Sequence, residues 1–172
     1  MPVAESQPQA ARRITLERIE AAARAIDPVF LDTPQYECEP LGDALGSRAV
    51  LKIETVNPIR SFKGRGASWL AANLDPASPA PLMCASAGNF GQAMAYACRA
   101  AGVPLTVYAS TTANPLKLDR MRALGATVVL HGEDFDAAKA EARRVAAEQG
   151  IRFVEDSRDP EPTEGAGTIG LE

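Results

Sequence analysis

The chain has 172 residues, enough for one sizeable hydrophobic core or two small lobes, and its 46% hydrophobic and 23% charged residues are typical of a soluble globular protein. The formal net charge of -4 and the pI near 5.1 argue against nucleic acid and against an anionic membrane surface as partners, and no apolar run approaches the roughly 20 residues that span a bilayer. Three cysteines without CxxC spacing and a single histidine predict neither a disulfide framework nor a metal site, and a cytoplasmic setting is the simplest expectation.

The first part of the chain predicts a helix followed by short elements around one strand. Residues 1–9 are polar and lack the apolar core of a secretory signal, so we interpret them as a frayed tail. Apolar residues recur at helical spacing between Ile14 and Ile26, and Asp27-Pro28 ends that helix. Next come an extended or irregular segment from Thr33 to Leu41, a short helix closed by Gly46, and a strand from Ala49 to Ile53.

A helix with an unusual distribution of charge follows this strand. Asn57-Pro58 is a turn signal, and Ser61 is placed to cap a helix that carries Lys63 and Arg65 in its first turn. Cations are disfavoured there, because the N-terminus is the positive end of the helix dipole. Such a position suits a nucleophilic amine that forms Schiff bases, but the residues alone leave open an exposed basic turn that extends into water.

The second part of the chain alternates strands with helices. A proline-rich stretch, residues 75–81, separates it from the Lys63 helix and is interpreted as a connection between two lobes. The strands are predicted at residues 82–85, 105–109, 127–130 and 152–155, with helices at 88–99, from Asn114 to before Gly125, and at 135–149. This succession predicts an α/β fold with a doubly wound parallel sheet.

Ligands of such sheets bind outside the carboxyl ends of the strands, where three turns are candidates. The Ser86–Gln92 turn offers backbone N–H groups, a hydroxyl and two amides around glycines, and it fits either an anion site or a plain turn capped by Asn89. Residues 110–115 are interpreted as helix capping. Gly165–Gly170 is a literal GxGxxG, but it follows a predicted loop at residues 156–164 rather than a strand, which disfavours nucleotide binding.

The stretches Ser61–Gly66 and Ser86–Gln92 together are more specific than either alone. They resemble fold-type II pyridoxal-phosphate enzymes, most of all the threonine/serine dehydratases (ammonia-lyases), from Thr33 to the end of the chain. The likeness also includes Leu51–Glu54, Lys117 with Arg120, Gly125–Val128, Phe135-Asp136 and Gly167–Glu172. The resemblance implies the N-terminal half of a tryptophan synthase beta-like fold, in which the GxGxxG segment starts a helix.

The resemblance also implies roles for individual residues. Lys63 would bind pyridoxal 5'-phosphate as a Schiff base and act as the general base on the substrate, Phe62 would pack near the cofactor ring, and Asn89 would hydrogen-bond its phenolic oxygen. The substrate carboxylate would be held by Ser86, Ala87, Gly88 and Asn89, with Gln92 nearby. Elimination from L-threonine or L-serine would give a 2-oxo acid and ammonia. A serine in place of Ala87 is associated with racemisation in this family, so Ala87 favours elimination.

The same resemblance implies a division of the chain. Residues 1–77 would belong to a large cofactor-binding domain, 80–157 would form a small βαβ domain, and 158–172 would return to the large domain. The family's glycine-rich phosphate cup and the residue facing the pyridine nitrogen lie in a second half, so we expect a fragment or truncated relative with weak cofactor binding and poor turnover. A homo-oligomer is expected for the full-length form.

Two departures from the family pattern leave the substrate open. Phe90 replaces the usual histidine, and Asn57–Arg60 replaces the usual approach to Lys63. Alternatives within the family are a racemase, a cysteine synthase-like enzyme and a threonine synthase-like enzyme. From other classes, a non-catalytic binding lobe and, on the GxGxxG alone, a dehydrogenase are also considered.

Overall fold

A computed structural model of the chain describes residues 14–172, so the predicted tail at residues 1–9 lies outside the described residues. The predicted α/β class is confirmed. Helices are α1 (Leu16–Ala25), α2 (Glu39–Leu45), α3 (Lys63–Ala72), α4 (Asn89–Ala101), α5 (Pro115–Ala123), α6 (Phe135–Gln149) and α7 (Pro160–Gly167). Strands are β1 (Gln35–Glu37), β2 (Val50–Lys52), β3 (Leu82–Ala85), β4 (Leu105–Ala109), β5 (Thr127–Leu130) and β6 (Arg152–Val154). Short 3-10 helices span Pro28–Phe30 and Thr168–Leu171.

The larger sheet is parallel, and its strand order reverses once. The order is β5-β4-β3-β6, so the chain moves outward from β3 to β4 and β5 and then crosses back to place β6 on the other side of β3. The boundary between β3 and β6 is therefore the topological switch point of the sheet. Ligands of open α/β sheets bind at the carboxyl ends of the strands at such a point.

Alternate residues of β3 face two different layers of helices. Leu82 and Cys84 belong to the main core, which contains apolar residues of α3, α4 and α5. Met83 and Ala85 pack instead with Ala142 of α6 in a second core on the opposite face. Helices thus cover both faces of the sheet, which is why all four residues of β3 are buried.

The N-terminal part and the C-terminal segment pack together. Strands β1 and β2 form an antiparallel pair, and α3 packs against both α4 and α7. Helix α7 corrects two expectations: residues 160–164 are helical rather than a loop, and Gly165 and Gly167 end a helix instead of starting one. Pro160 is compatible because it is the first helical residue, where its missing N–H needs no partner.

The glycines of the GxGxxG segment are explained by packing. A Cβ at Gly165 would lie 2.5 Å from Gly66 Cα, and one at Gly167 would lie 2.8 Å from Ile19 Cδ1. The motif therefore allows α7 to approach α3 and α1 closely, without a nucleotide. Within residues 14–172, no helix is long and apolar enough to cross a membrane, and no group of His, Cys, Asp and Glu could hold a metal ion.

Candidate active site

The approach to Lys63 is a turn built around Asn57. The Asn57 side chain is buried, accepts hydrogen bonds from the N–H groups of Ile59 and Ser61 at 3.2 Å, and donates to the carbonyl of Glu54 at 2.8 Å. Arg60, in this turn, has a left-handed φ of 54°. The predicted cap is displaced by one residue: Phe62 is the N-cap of α3 and makes no side-chain capping bond, whereas Ser61 Oγ accepts the N–H of Lys63 at 3.3 Å from just before the helix. These bonds fix the direction in which α3 begins.

Arg65, one of the two cations in the first turn of α3, is fully buried. Its guanidinium donates to both carboxylate oxygens of Glu54, at 2.9 and 3.0 Å, and to Glu172 at 2.6 and 3.2 Å. Further bonds reach Thr168 and Thr33. Burial opposes the charge on Arg65, but the hydrogen bonds to Glu172 and Glu54 outweigh it and raise its pKa. The basic turn is thus not simply extended into water, and Arg65 has a structural role.

The Lys63 side chain does not join the Arg65 network, and 26% of it is exposed to solvent. Its Nζ lies 2.7 Å from Asp156 Oδ2 and 4.7 Å from the centroid of the Phe62 ring. Phe62 itself is exposed. The amine is therefore accessible and has an aromatic ring and a carboxylate as neighbours.

The Ser86–Gln92 turn joins the end of β3 to the start of α4. Ser86 Oγ is buried and accepts the N–H groups of Gly88 at 3.1 Å and Gly91 at 2.9 Å. Gly88 is the N-cap of α4 and offers no side chain to cap the helix. Within residues 14–172, the N–H groups of Asn89 and Phe90 have no acceptor. Free N–H groups at a helix N-terminus form an anion-binding surface.

The ammonium of Lys117 lies beside this turn and adds to the positive N-terminal end of α4. A Cβ built on Gly88 would lie 3.5 Å from the Nζ of Lys117, which belongs to α5. Asn89 is exposed, whereas Gln92 is buried at 3% exposure. A carboxylate at the α4 terminus would meet both the helix dipole and the Lys117 ammonium.

A cavity of about 220 Å³ opens at the carboxyl ends of β3 and β6, at the switch point. We call it the strand-end cavity. Its lining includes Ala85, Phe135, Lys139, Glu155, Asp156 and Ser157. Lys63 is not part of the lining, but its amine lies 2.7 Å from the carboxylate of Asp156, a residue that lines the cavity. The Ser86 turn leaves the same strand end, since Ala85 both ends β3 and lines the cavity.

The structure thus groups the predicted residues around one end of the sheet. No hydrogen bond or ion pair joins Lys63 directly to the Ser86–Gln92 turn within residues 14–172. Lys63 pairs with Asp156, which follows β6, and the turn follows β3, the strand paired with β6.

Sequence reasoning missed Asp156 and Lys139. The position of Asp156 just after the last predicted strand was the available signal. Cys84 is excluded as a nucleophile, because burial raises the pKa of its thiol.

An open α/β sheet with an accessible lysine amine near its switch point, and with a helix N-terminus that offers free N–H groups at the same edge, is suited to chemistry at an amine nucleophile. The comparison with known families agrees with this interpretation. Residues 26–172 match the family described as pyridoxal-phosphate dependent enzyme, and the chain belongs to that family. The family expected from Ser61–Gly66 and Ser86–Gln92 is confirmed.

Similar proteins include dehydratases and a racemase. Over 145 residues the chain is 39% identical to the mitochondrial threonine dehydratase of Schizosaccharomyces pombe, covering 84% of this chain and 24% of that protein. Threonine deaminase isoform 2 from Solanum lycopersicum has a TM-score of 0.78 at 31% identity, covering 91% of this chain and 48% of that one. A pyridoxal 5'-phosphate-dependent aspartate racemase has a TM-score of 0.83 at 32% identity, covering 96% and 51%. The chain spans 24% to 48% of the length of the first curated relatives it matches.

The residues present fit pyridoxal phosphate chemically. The aldehyde of this cofactor needs a primary amine, and Lys63 offers one next to Asp156, which lines the strand-end cavity. The cofactor and an amino-acid substrate carry anionic groups, for which the free N–H groups of the α4 terminus are suitable donors.

Proposed function

We propose that this chain supplies the lysine-bearing part of a pyridoxal-phosphate-dependent ammonia-lyase that converts L-threonine or L-serine to a 2-oxo acid and ammonia. The observation that carries the proposal is the partly exposed Lys63 amine, which pairs with Asp156 of the strand-end cavity next to the switch point of the sheet. The similarity to threonine dehydratases supports the choice of reaction and substrate.

Each residue would have a separate task. Lys63 would hold the cofactor through its amine and later take the proton from the substrate Cα. Phe62 lies against the Lys63 amine and would pack beside the cofactor ring, while Asn89 would hydrogen-bond the cofactor. When bound, the cofactor supplies an electron sink for the charge left on Cα.

The substrate carboxylate would be held at the N-terminus of α4. The N–H groups of Asn89 and Phe90 are available for it, and Ser86 fixes the shape of the turn through Gly88 and Gly91. Ala87 and Gly88 lack long side chains and would leave room for the carboxylate, and Gln92 would lie behind the turn. The β-hydroxyl would leave as water with one proton, which balances the proton taken from Cα, and hydrolysis by one water would then release ammonia and the 2-oxo acid.

Trapping of the cofactor on the protein tests the central assignment. The chain has four lysines, so borohydride reduction with pyridoxal phosphate followed by peptide mass spectrometry identifies which amine carries the cofactor. We expect the Lys63 peptide to carry most of the label, and Lys63→Ala to lose that share of the label and any release of 2-oxobutyrate or pyruvate from threonine or serine. Arg144→Gln, on the exposed face of α6, is the control and should retain both. Equal labelling of Lys63→Ala and the parent would refute the proposal.

Racemisation is a second candidate, favoured by the similarity to an aspartate racemase. Both reactions begin with removal of the Cα proton, so both depend on Lys63, and they diverge only after that step. Chiral chromatography of the recovered amino acid separates them. A D-isomer that accumulates without 2-oxo acid would favour racemisation, and 2-oxo acid without a D-isomer would favour elimination.

A further inference from the structure

Asp156 is the carboxylate that pairs with the candidate cofactor lysine, at 2.7 Å from Nζ of Lys63. Neither side chain is fully buried, with 26% and 32% exposure for Lys63 and Asp156. A small molecule can therefore reach the pair, and Asp156 itself lines the strand-end cavity.

The neighbouring acids in the same loop have basic partners of their own. Glu155 pairs with Lys139 at 2.6 Å and also with Arg143, and Asp159 pairs with Arg152 at 3.3 Å. Within residues 14–172, Lys63 is the one basic group paired with Asp156. Each acidic residue of this loop thus has its own basic partner, and the partner of Asp156 is Lys63.

The loop that carries Asp156 has several hydrogen bonds of its own. The N–H groups of Arg158 and Asp159 donate to the carbonyl of Glu155 at 3.1 and 3.0 Å, and Glu155 N donates to Asp159 Oδ2 at 2.6 Å. Ser157 adopts a left-handed φ of 68°, a conformation that is strained for a residue with a side chain. These hydrogen bonds hold the backbone on both sides of Asp156 and do not involve the Lys63 side chain.

We propose that Asp156 is a positioning residue that holds the Lys63 amine in an ion pair and thereby slows its reaction with aldehydes. This inference rests on the proposed function, because it takes Lys63 as the cofactor lysine. Attack on the aldehyde carbon requires the free amine, so the ion pair must open and the ammonium proton must pass to water or buffer. The nitrogen then forms a C=N bond, and the aldehyde oxygen leaves as water.

The test is the rate of labelling of Lys63 by pyridoxal phosphate with borohydride, measured by peptide mass spectrometry on the purified chain. Asp156→Asn should raise this rate by about two- to fivefold, the range expected for loss of one partly exposed ion pair. Asp156→Glu keeps a carboxylate and should restore slow labelling. Asp119→Asn removes the same charge from an exposed pair on α5 and should leave the rate unchanged.

The other lysines in each digest report on folding and on general reactivity. Labelling of Lys52 should be the same in all variants, because its amine pairs with Glu172 in a different part of the structure. An Asp156→Asn chain that labels Lys63 at the parental rate overturns the inference while leaving the proposed function intact. Equal acceleration by Asp156→Asn and Asp156→Glu also overturns it. Absence of any label on Lys63 in the parent refutes the proposed function instead.

Discussion

The contact between α3 and α7 leads to a sharp prediction for Gly165→Ala. A Cβ at this position would lie 2.5 Å from Gly66 Cα and 2.6 Å from the carbonyl oxygen of Arg65. Both are backbone atoms, so no change of side-chain rotamer can relieve the contact. Gly170, in the same GxGxxG segment, has no atom within 4 Å of an added Cβ and provides the matched control.

The magnitude is set by the geometry of this contact. Carbon atoms pack at about 3.5–4.0 Å, so the two helices would have to separate by about 1 Å to accept the methyl group. Overpacking of this kind costs about 1–3 kcal/mol, and a clash between backbones belongs at the upper end of the range. Alanine gains about 1 kcal/mol of helix propensity over glycine, which leaves a net loss of about 2 kcal/mol in the free energy of unfolding.

Urea denaturation followed by tryptophan fluorescence measures this loss. Trp69 is the chain's one tryptophan, lies on α3 and donates from Nε1 to Glu164 of α7 at 2.7 Å, so it reports on this interface directly. Gly170→Ala should lie within about 0.5 kcal/mol of the parent. If Gly165→Ala is as stable as Gly170→Ala, the packing explanation of the motif is wrong. A response of the Trp69 fluorescence to NAD in the parent would then support the nucleotide interpretation.

Two predictions concern the buried Arg65 network. Arg65→Met should lower the free energy of unfolding by about 3–5 kcal/mol in the same assay, because it removes the one basic partner of Glu54 within residues 14–172 and leaves Glu172 with Lys52 alone. Arg122→Met at an exposed pair should cost less than about 0.5 kcal/mol, and a similar small loss for Arg65→Met would contradict the structural role. Burial opposes ionisation of Glu172, but hydrogen bonds from Arg65 and Lys52 outweigh it and lower its pKa to about 2. A depressed carboxyl pKa stabilises the fold above the unfolded value near 4.5, so this stability should be lost as the pH falls from 4.5 to 2. Glu172→Gln should flatten the pH dependence of the urea midpoint in that window, and an unchanged slope would count against it.

The sequence was most informative where structure is local. The strands and helices from Leu82 to Val154 were predicted because hydrophobic periodicity, an N-cap such as Asn114, and closing glycines all act within a few residues. Helix α7 was missed because Pro160 and Pro162 suggest a loop. Its stability depends on the close contact of Gly165 with Gly66, which no local pattern reveals.

The same distinction separates the predicted and missed parts of the candidate site. Lys63 and the Ser86–Gln92 turn belong to compact motifs that can be recognised from neighbouring residues. Asp156 has no such motif, and its pairing with Lys63 depends on β6 lying beside β3. The sequence shows that Asp156 follows the last strand. It does not show which side chain Asp156 contacts, because that depends on the order of the strands in the whole sheet.

The two cations in the first turn of α3 show how one rule of helix electrostatics leads to two different roles. Both Lys63 and Arg65 oppose the helix dipole. At Arg65 two carboxylates offset both this cost and the cost of complete burial, which makes the residue part of the framework. At Lys63 the cost is met by the single, partly exposed carboxylate of Asp156, a pair weak enough to be displaced. The fold therefore fixes the start of α3 through Arg65 and leaves the Lys63 amine as the group that can exchange its partner, which is the property that a cofactor-binding lysine requires.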